Sequence, residues 1–365
     1  MSTVINIFIT LILMPWPPAL MMSPMMMAAP DFRNNRSSLL SATFILGYPV
    51  IVFAVLKLLD YTFWGMDVTG WLIGVSCVSG IIIFLYGIPG MLINLGRGVQ
   101  NNGYFKNDTF VYYDGNKIAE ADPVSFSVIA DDKFYAKDSK HVFYMGKLVK
   151  DADPVTFTPI KEVGRGPLDV ESSVYWKDKA NVYYNAKKIE GSDVGTFQHI
   201  KSIYGKDRNH VYYGNIILPK ANPEKFMFLE EGIATDEASI FVFNKLVNIP
   251  VDVPSFEVVR NGDHLFCKDK NNVYLLLYEK AEPLVELDGA DVATFTLLER
   301  YYAKDKNHVY FYGYSKLNTR ALIHLKEADP DKFTVGYDAS TNSEATDGSN
   351  YYMAGRAVER KKKVK

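Results

Sequence analysis

The sequence predicts a mainly β protein, in which a tandem array of about seven hairpin-plus-helical-turn repeats follows a transmembrane helical hairpin. Three observations support this prediction. The composition changes abruptly near Arg97, from an almost wholly apolar N-terminal part to a mixed remainder. A short motif then recurs about every 30 residues. The 24 Tyr and 22 Phe suit half-buried strand surfaces, because aromatic residues favour β-structure.

The bulk composition indicates a globular protein and excludes some classes of function. A formal net charge of −2 over 365 residues provides no basic surface for a phosphate backbone, so nucleic acid is not an expected partner. The two cysteines, Cys77 and Cys267, do not make a disulfide framework. Neither a glycine-rich phosphate loop nor a nucleophile motif stands out, so we predict no cofactor and no catalytic residue.

Residues 1–36 form an apolar tail whose role the sequence leaves open. Residues 4–14 are apolar, but no basic residue precedes them, as a signal peptide would require. A methionine run and four prolines follow, at positions 15, 17, 18 and 24. The tail is a third membrane segment, an interfacial segment, or sequence upstream of the true start.

Residues 37–97 form the predicted membrane region. Two apolar runs, 39–59 and 71–95, have roughly the 20 residues that a helix needs to cross a bilayer. Lys57 is the one charge within them, and it lies within a turn of the first helix's end, where its stem can reach the interface. The alternative is a buried helical hairpin of a soluble protein, which the length and uniform apolarity of both runs disfavour.

Residues 104–336 form the predicted repeat domain. Four clear copies of a Lys-Asp-x-x-x-Val-aromatic-aromatic motif begin at Lys137, Lys177, Lys206 and Lys304. Weaker copies are centred on Asn107, Asp236 and Asp269. Aligning the seven copies gives a column of β-branched residues, which is typical of strands. Its members are Val111, Val142, Val182, Val211, Ile240, Val273 and Val309.

The next column of the alignment is aromatic throughout, and its exposed fraction is the candidate binding surface. Repeat arrays commonly present a continuous binding face, and aromatic side chains supply contact area at little entropic cost. The alternative is that all of these rings are core. The column consists of Tyr112, Phe143, Tyr183, Tyr212, Phe241, Tyr274 and Tyr310.

A second landmark in each repeat is an acidic or amide residue followed four positions later by Phe. Asp or Asn at the N-cap, often with Pro next to it, predicts one helical turn, whose Phe enters the core. The pairs are Asp122/Phe126, Asp153/Phe157, Asp193/Phe197, Asn222/Phe226, Asp252/Phe256, Asp291/Phe295 and Asp329/Phe333. Residues 337–365 are predicted to hold a truncated eighth copy, ending at Tyr351 and Tyr352, and a basic tail.

These motifs resemble the DKNYY-repeat family, named for an Asp-Lys-Asn-x-x-Tyr-Tyr pattern. The closest matches are residues 206–213 and 268–274, whereas the fifth copy, at Asp236, lacks both the Lys and the Asn. The resemblance covers most of 104–336. It implies a bacterial protein and carries over no catalytic residue.

Two features of the motif could hold a metal, but each has a structural alternative. The Asp-x-Asn pairs offer oxygen ligands for calcium, yet the loop of an EF-hand is missing, and turn capping explains the same residues. His141, His210 and His308 recur at one repeat position, which indicates a role in each repeat and not in one zinc cluster. We therefore predict no metal site. The sequence does not tell whether two of the scattered Asp and Glu side chains meet in the fold as a catalytic carboxylate pair.

The function that these features favour is a membrane-anchored binding or scaffold module. Its expected partners are the lipid bilayer and a protein or envelope polymer, and the oligomeric state is open. A sharper version is an immunity-like protein that neutralises a toxin. The alternative is an envelope hydrolase with a carboxylate pair in the groove of the array. The array itself is expected to be elongated or curled, and closure like a propeller is the alternative shape.

Charge placement predicts the side of the membrane. The basic residues near the helix ends lie outside the connecting loop, and that loop holds acidic residues. We therefore predict a bacterial inner (plasma) membrane protein with a cytoplasmic repeat domain, the alternative being a periplasmic one. The basic residues are Arg33, Arg36, Arg97 and Lys106, and the acidic ones are Asp60 and Asp67.

Overall fold

A computed structural model describes most of the chain. The predicted basic tail, residues 359–365, lies outside the described residues. These are residues 2–29, 31–129, 133–164, 174–261, 264–278, 280–314 and 320–358.

The N-terminal part is helical. It contains five α-helices, a 3-10 turn (Phe32–Asn34) and a two-stranded hairpin of β1 (Thr62–Phe63) and β2 (Met66–Asp67). The helices are α1 (Ser2–Leu13), α2 (Trp16–Met27), α3 (Arg36–Leu58), α4 (Val68–Leu85) and α5 (Ile88–Gly96). Among the described residues, three helical stretches are long and apolar enough to cross a membrane, namely Thr3–Met27, Arg36–Leu58 and Val68–Leu85. The N-terminal tail, whose role the sequence left open, is thus a third candidate span.

The predicted second membrane helix, 71–95, is wrong in one respect, because the structure divides it. Helix α4 ends at Leu85, and Gly87 adopts a left-handed conformation with φ of 66°. Pro89 then lies in the first turn of α5, where its missing N–H costs no hydrogen bond. A glycine followed by a proline therefore ends one helix and begins the next.

Helices α1 and α2 run alongside α3 over its length. At one end, near the β1–β2 hairpin, the hydroxyl of Tyr61 donates to Asn6 Oδ1 at 3.1 Å. At the other end, Ser23 Oγ lies 2.9 Å from the Tyr86 hydroxyl. Between them, Ser79 Oγ donates to the Leu46 carbonyl at 2.8 Å. Such polar contacts between apolar helices are typical of helix packing in a membrane.

Eight small antiparallel sheets follow in chain order, and each forms one repeat. Sheet 1 has three strands and the other seven have four. Sheets 1 to 4 consist of β3 (Tyr104–Lys106), β4 (Val111–Tyr113), β5 (Asn116–Ile118); β6 (Ser127–Val128), β7 (Tyr135–Lys137), β8 (Val142–Tyr144), β9 (Lys147–Leu148); β10 (Thr158–Ile160), β11 (Tyr175–Lys177), β12 (Val182–Tyr184), β13 (Lys187–Lys188); and β14 (Gln198–Lys201), β15 (Tyr204–Lys206), β16 (Val211–Tyr213), β17 (Ile216–Ile217).

Sheets 5 to 8 continue the same order. They consist of β18 (Met227–Glu230), β19 (Ile233–Thr235), β20 (Ile240–Val242), β21 (Lys245–Leu246); β22 (Glu257–Asn261), β23 (His264–Lys268), β24 (Val273–Leu276), β25 (Leu284–Glu286); β26 (Thr296–Leu297), β27 (Tyr302–Lys304), β28 (Val309–Tyr314), β29 (Arg320–His324); and β30 (Thr334–Asp338), β31 (Ser343–Thr346), β32 (Tyr351–Met353), β33 (Arg356–Val358).

In each sheet the strands pair in sequence order, as in a meander. The predicted two-stranded hairpin is therefore only the central part of each sheet. In the four-stranded sheets, one further strand follows the Phe of the turn and another follows the central hairpin. Most strands have only two to four residues, which is how four fit into one short repeat. The predicted truncation of the eighth repeat is also wrong, since β30 to β33 form a complete sheet. Nothing in the described residues supports propeller-like closure.

The chain divides into two compact units, and each has its own core. The first holds the helices, sheets 1 and 2 and β11, and the second holds β12 and the chain from Lys188 onward. Within each unit the core lies between successive sheets. In the second unit, for example, one cluster joins sheets 4 and 5 through Tyr204, Val211, Leu218, Phe226, Ala234 and Phe241.

Candidate functional site

The predicted aromatic binding surface lies in the core. Phe143, Tyr183, Tyr212, Phe241, Tyr274 and Tyr310 are each at most 1% exposed, and only Tyr112 is half-buried. The prediction fails because the Phe of the capped turn covers this face of its sheet. The ring of Phe197 lies 5.5 Å from that of Tyr212, and Phe226 lies 5.7 Å from Phe241. The column therefore packs repeats together and is not available to a partner.

The Asp of the motif is a buried acceptor, as repeat 4 shows. Asp207 is 3% exposed, and its Oδ1 accepts from the amides of Asn209 at 2.7 Å and His210 at 2.8 Å. Its Oδ2 accepts from the Tyr212 hydroxyl at 2.8 Å and from the amide of Asp193 at 2.8 Å. Asp193 begins the capped turn that precedes the sheet. One carboxylate thus closes its own hairpin and also holds the turn.

Hydrogen bonding keeps this carboxylate ionised in spite of its burial. Burial acts to raise the pKa of Asp207, but the amides of Asp193, Asn209 and His210 and the Tyr212 hydroxyl outweigh it and lower the pKa. The Asp347 carboxyl shows the same balance, with its pKa lowered to about 2. Such a group is an anionic structural anchor and not a general acid at neutral pH.

The arrangement recurs in the other complete repeats. The turn amide donates to Oδ2 over 2.7 to 3.3 Å in each of the six further pairs. The pairs are Asp122 with Asp138, Asp153 with Asp178, Asn222 with Asp236, Asp252 with Asp269, Asp291 with Asp305, and Asp329 with Asp347. The predicted role of the Asp as a turn cap is confirmed by its bonds to the hairpin amides. The first turn residue caps its turn through a side-chain oxygen in six of the seven pairs, and Asp252 is the exception.

The Lys of the motif reaches forward to the next turn. Lys206 Nζ donates to the Pro223 carbonyl at 2.9 Å, and Lys137 Nζ donates to the Pro154 carbonyl at 2.8 Å. Lys304 makes the same bond to Pro330 at 2.9 Å. Each such turn is therefore held by the Asp of its own sheet and by the Lys of the sheet before it.

A further column, which the sequence reasoning missed, links sheets through tyrosine hydroxyls. Tyr204 is buried, and its hydroxyl donates to the carbonyls of Gly232 at 2.6 Å and Phe243 at 2.8 Å in the next sheet. The hydroxyls of Tyr104 and Tyr302 also reach the following sheet, where they accept from the amides of Gly146 at 3.0 Å and Gly355 at 3.2 Å. The signal was available, because a Tyr lies two residues before the motif Lys in repeats 1 to 4 and 7.

The repeated histidines remain separate from one another. His210 Nδ1 lies 3.4 Å from the Tyr212 hydroxyl, and His308 Nδ1 lies 3.2 Å from the Tyr310 hydroxyl, so each side chain serves its own repeat. Over the described ranges, no three His, Cys, Asp or Glu side chains are grouped as metal ligands.

One buried ionic cluster does not recur between repeats. In the second compact unit, the Glu162 carboxylate is buried and accepts from Lys201 Nζ at 2.7 Å. His199 Nε2 lies 4.0 Å from the other carboxylate oxygen and 2.7 Å from the Ser202 carbonyl oxygen. Glu162 and His199 also form an isolated parallel β-bridge. The one carboxylate is neutralised by Lys201, and the cluster joins a loop to β14.

Two open cavities lie on the repeats. One, of about 460 Å³, is lined by Tyr104, Tyr113 and Phe134 in the first compact unit. The other, of about 300 Å³, is lined by Lys206, Asp207 and neighbouring residues in the second. The charged groups Lys206 and Asp207 are already bound within the motif. These cavities therefore present mainly structural residues.

Several outer strands of the repeats expose apolar side chains to solvent. The fourth strand of three sheets in the second compact unit carries such residues, at 39 to 46% exposure. They are Ile216, Ile217, Val285 and Leu322. An exposed apolar edge strand is a ready site for pairing with another polypeptide.

Comparison with known proteins adds a family and no close relative. The model of the DKNYY family matches residues 91–187 and 175–356, which is more than half of the chain. No curated protein and no solved structure matches the sequence.

Proposed function

This chain belongs to the DKNYY family, and from that premise we propose that it is a membrane-anchored interaction module whose outer strands bind a protein or an envelope polymer. One observation carries the proposal. The Asp, the Lys and the aromatic residues of the family motif are engaged in contacts inside the array. The motif therefore builds the scaffold, and the side chains that differ between repeats are left for recognition.

The anchor is the three-helix region. Its three candidate spans and the polar contacts along α3 support a bundle of three crossings. Three crossings place the N-terminus on the side opposite the repeats. Arg33, Arg36 and Arg97 are exposed at the repeat-proximal end, which by the positive-inside rule favours a cytoplasmic repeat domain.

The contact surface is the row of exposed fourth strands. Ile216 and Ile217 are the most exposed of its residues, at 46% and 42%. Repeat 3 carries Lys187 and Lys188 at the equivalent positions of β13, also exposed. The fold thus accepts either residue type there, so isoleucine is not required for stability. Apolar residues at a tolerant, exposed edge favour partner binding.

The test replaces these residues with those of repeat 3. The variant Ile216→Lys/Ile217→Lys is expressed as the full chain, solubilised in detergent, crosslinked and captured beside the parent protein. We expect the parent to capture a specific partner and the variant to lose it while its circular dichroism spectrum is unchanged. Val155→Lys, at an 82% exposed turn position, is the matched control and retains the partner.

The identity of the captured species separates the versions of the proposal. A small protein toxin identifies an immunity-like role. A glycan or lipid-linked polymer identifies an envelope scaffold, and it requires the alternative topology, with the repeat domain in the periplasm. Equal capture by the Ile216→Lys/Ile217→Lys variant and the parent would show that the outer strands are not the binding surface.

A further inference from the structure

Repeat 1 lacks the elements that cover its aromatic face in the other repeats. In sheet 1, Phe105 pairs with Tyr112, and Tyr112 pairs with Lys117, so these three side chains share one face. In sheet 2 the same face is covered by Phe126, whose ring lies 6.1 Å from Phe143. Within the described residues 31–129, no capped turn precedes sheet 1, and no strand pairs with the outer edge of β3. We call this surface, with the adjacent Phe110, the open face.

The residues of the open face depart from the pattern of the other repeats. Phe110 occupies a position that holds only polar residues elsewhere, and it is 37% exposed. The polar residues are His141, Asn181, His210, Ser239, Asn272, His308 and Asn350. Asn107 replaces the motif Asp, which removes a negative charge. Phe105 stands where six of the other seven repeats have Ala, Gly or Cys. Repeat 1 alone is thus more aromatic and less acidic.

A hydrogen-bonded clamp fixes the open face beside the helices. Asn101 is 2% exposed; its amide donates to Asn34 Oδ1 at 2.6 Å, and its side chain donates to the Arg33 carbonyl at 2.8 Å. Asn94, in α5, donates to Asn101 Oδ1 at 2.9 Å and to the Gly115 carbonyl at 3.1 Å. Helix α5 therefore contacts the β4–β5 turn of repeat 1.

The same turn of repeat 2 shows which way the open face points. There, Gly146 lies against Tyr113 of the preceding sheet. In repeat 1, Asn94 and Asn101 take the place of that preceding sheet at Gly115. The open face, which in other repeats meets the sheet before it, is therefore turned toward the helical region.

We propose that the open face of repeat 1 is an interfacial membrane contact, with its aromatic rings among the headgroups of an anionic leaflet. This inference rests on the proposed membrane anchor. The last turn of α4 is also apolar and exposed, with Phe84 and Leu85 at 77% and 76% exposure. Aromatic side chains are enriched at the level of the headgroups. Lys117 Nζ lies 3.3 Å from the Phe110 ring centroid, an aromatic–cation pair suited to that boundary.

The arginines at the helix ends beside repeat 1 complement anionic lipid. Arg33, Arg36 and Arg97 are exposed at this end of the helices, as is Lys117. Exposed acidic groups also lie close in sequence, namely Asp31, Asp108, Asp114, Glu120 and Asp122, and Asp114 accepts a bond from the Gly103 amide. The attraction to anionic lipid therefore depends on the arginines at the ends of the helices. Basic residues near a membrane surface each contribute about 1 kcal/mol of attraction to anionic lipid.

A protein segment fits the open face less well than lipid does. In every complete repeat, the second oxygen of the motif Asp accepts the first amide of the capped turn. Asn107 has only Oδ1 as an acceptor, and it is engaged by the amides of Thr109 at 3.0 Å and Phe110 at 2.8 Å. A peptide that imitated the capped turn would therefore find no partner for its first amide.

Spin labelling of the full chain tests the contact. The variant Cys77→Ala/Phe110→Cys is labelled with a nitroxide and placed in nanodiscs made of equal parts phosphatidylcholine and phosphatidylglycerol. The remaining cysteine, Cys267, is fully buried. Accessibility to oxygen, which concentrates in lipid, is compared with accessibility to a water-soluble nickel chelate. The matched variant Cys77→Ala/His210→Cys carries the label at the equivalent position of repeat 4.

We expect the oxygen-to-nickel ratio to be higher at position 110 than at position 210. A label at 110 that is as open to nickel as the one at 210 would overturn the inference, because the face would then be in water. A label at 110 shielded from both probes would also overturn it, because a protein would then cover the face.

A label on the native Cys77, which is exposed on α4, separates this outcome from failure of the anchor. Lipid exposure at 77 without lipid exposure at 110 rejects only the interfacial contact. Water exposure at 77 rejects the membrane anchor itself.

Discussion

Replacing the motif Asp of repeat 4 by its amide should expose what the buried carboxylate does. In Asp207→Asn, Oδ1 can still accept from the amides of Asn209 and His210, as Asn107 does from the corresponding amides in repeat 1. The second oxygen becomes an NH2 group, which cannot accept. The amide of Asp193 and the hydroxyl of Tyr212 then lose their acceptor at a site that is 3% exposed.

The expected cost follows from those two lost bonds. A buried donor left without a partner costs roughly 1 to 3 kcal/mol, so the loss of both bonds should lower the free energy of unfolding by about 2 to 6 kcal/mol. In Tyr212→Phe one of the two donors is removed, so Asp207→Asn should cost less in that background. The two changes are therefore expected to couple by about 1 kcal/mol or more.

The assay is denaturant unfolding of the detergent-solubilised full chain, followed by near-ultraviolet circular dichroism. Asn209→Ser, which leaves the backbone bonds of the hairpin in place, is the control. A loss below about 0.5 kcal/mol for Asp207→Asn, in the range of ordinary surface substitutions, would refute the view that the motif Asp holds the turn.

Three further predictions concern the buried Phe of the capped turn, the loss of stability in acid and the topology in the membrane. Phe226→Ala should lower the free energy of unfolding by about 3 to 5 kcal/mol because it empties a buried ring site, whereas the exposed Val155→Ala should cost far less; equal melts for the two would contradict the core role of the Phe. Hydrogen bonds lower the pKa of five buried motif carboxyls from the ordinary 3.8, to about 2 for Asp347, so their contribution to stability is complete above pH 3.8 and is lost as pH falls toward 2. The five are Asp138, Asp207, Asp269, Asp305 and Asp347. Thermal melts between pH 5 and pH 2 measure this loss, and a midpoint that stays constant or rises on acidification would contradict it. A reporter fused after Lys365 should be active in its cytoplasmic form and silent in its periplasmic form; the reverse would place the repeats outside.

Much of the repeat could be read from the chain because its signals are local. The capped turn needs an Asp or Asn, often with a Pro beside it, and a Phe four positions on, and the structure forms these turns, with Phe126 and Phe226 buried. The Asp207 turn is likewise made by bonds between neighbours two or three residues apart. Because these contacts join residues that are close in sequence, every copy of the repeat keeps the same spacing between them.

The additional strands escaped the sequence because they are too short to show a period. Strands such as Ser127–Val128 and Ile216–Ile217 have two residues, so alternation between faces cannot be seen in them. The eighth repeat was underestimated for a related reason. Its motif reads Thr346-Asp347-Gly348-Ser349-Asn350, which, like the fifth copy, lacks the Lys of the clear copies, although Asp347 keeps the same bonds.

The sequence by itself determined the phase of the repeats, the turn chemistry, the family and the apolar character of the N-terminal region. Only the tertiary structure decided which face of each sheet is covered. Alternation along a strand tells which side chains point the same way, but not whether another sheet lies there. The Phe of the preceding turn covers Tyr212 and its equivalents, so the most regular aromatic column became core. Tyr112 stays half-buried because helices, and not a capped turn, precede its sheet.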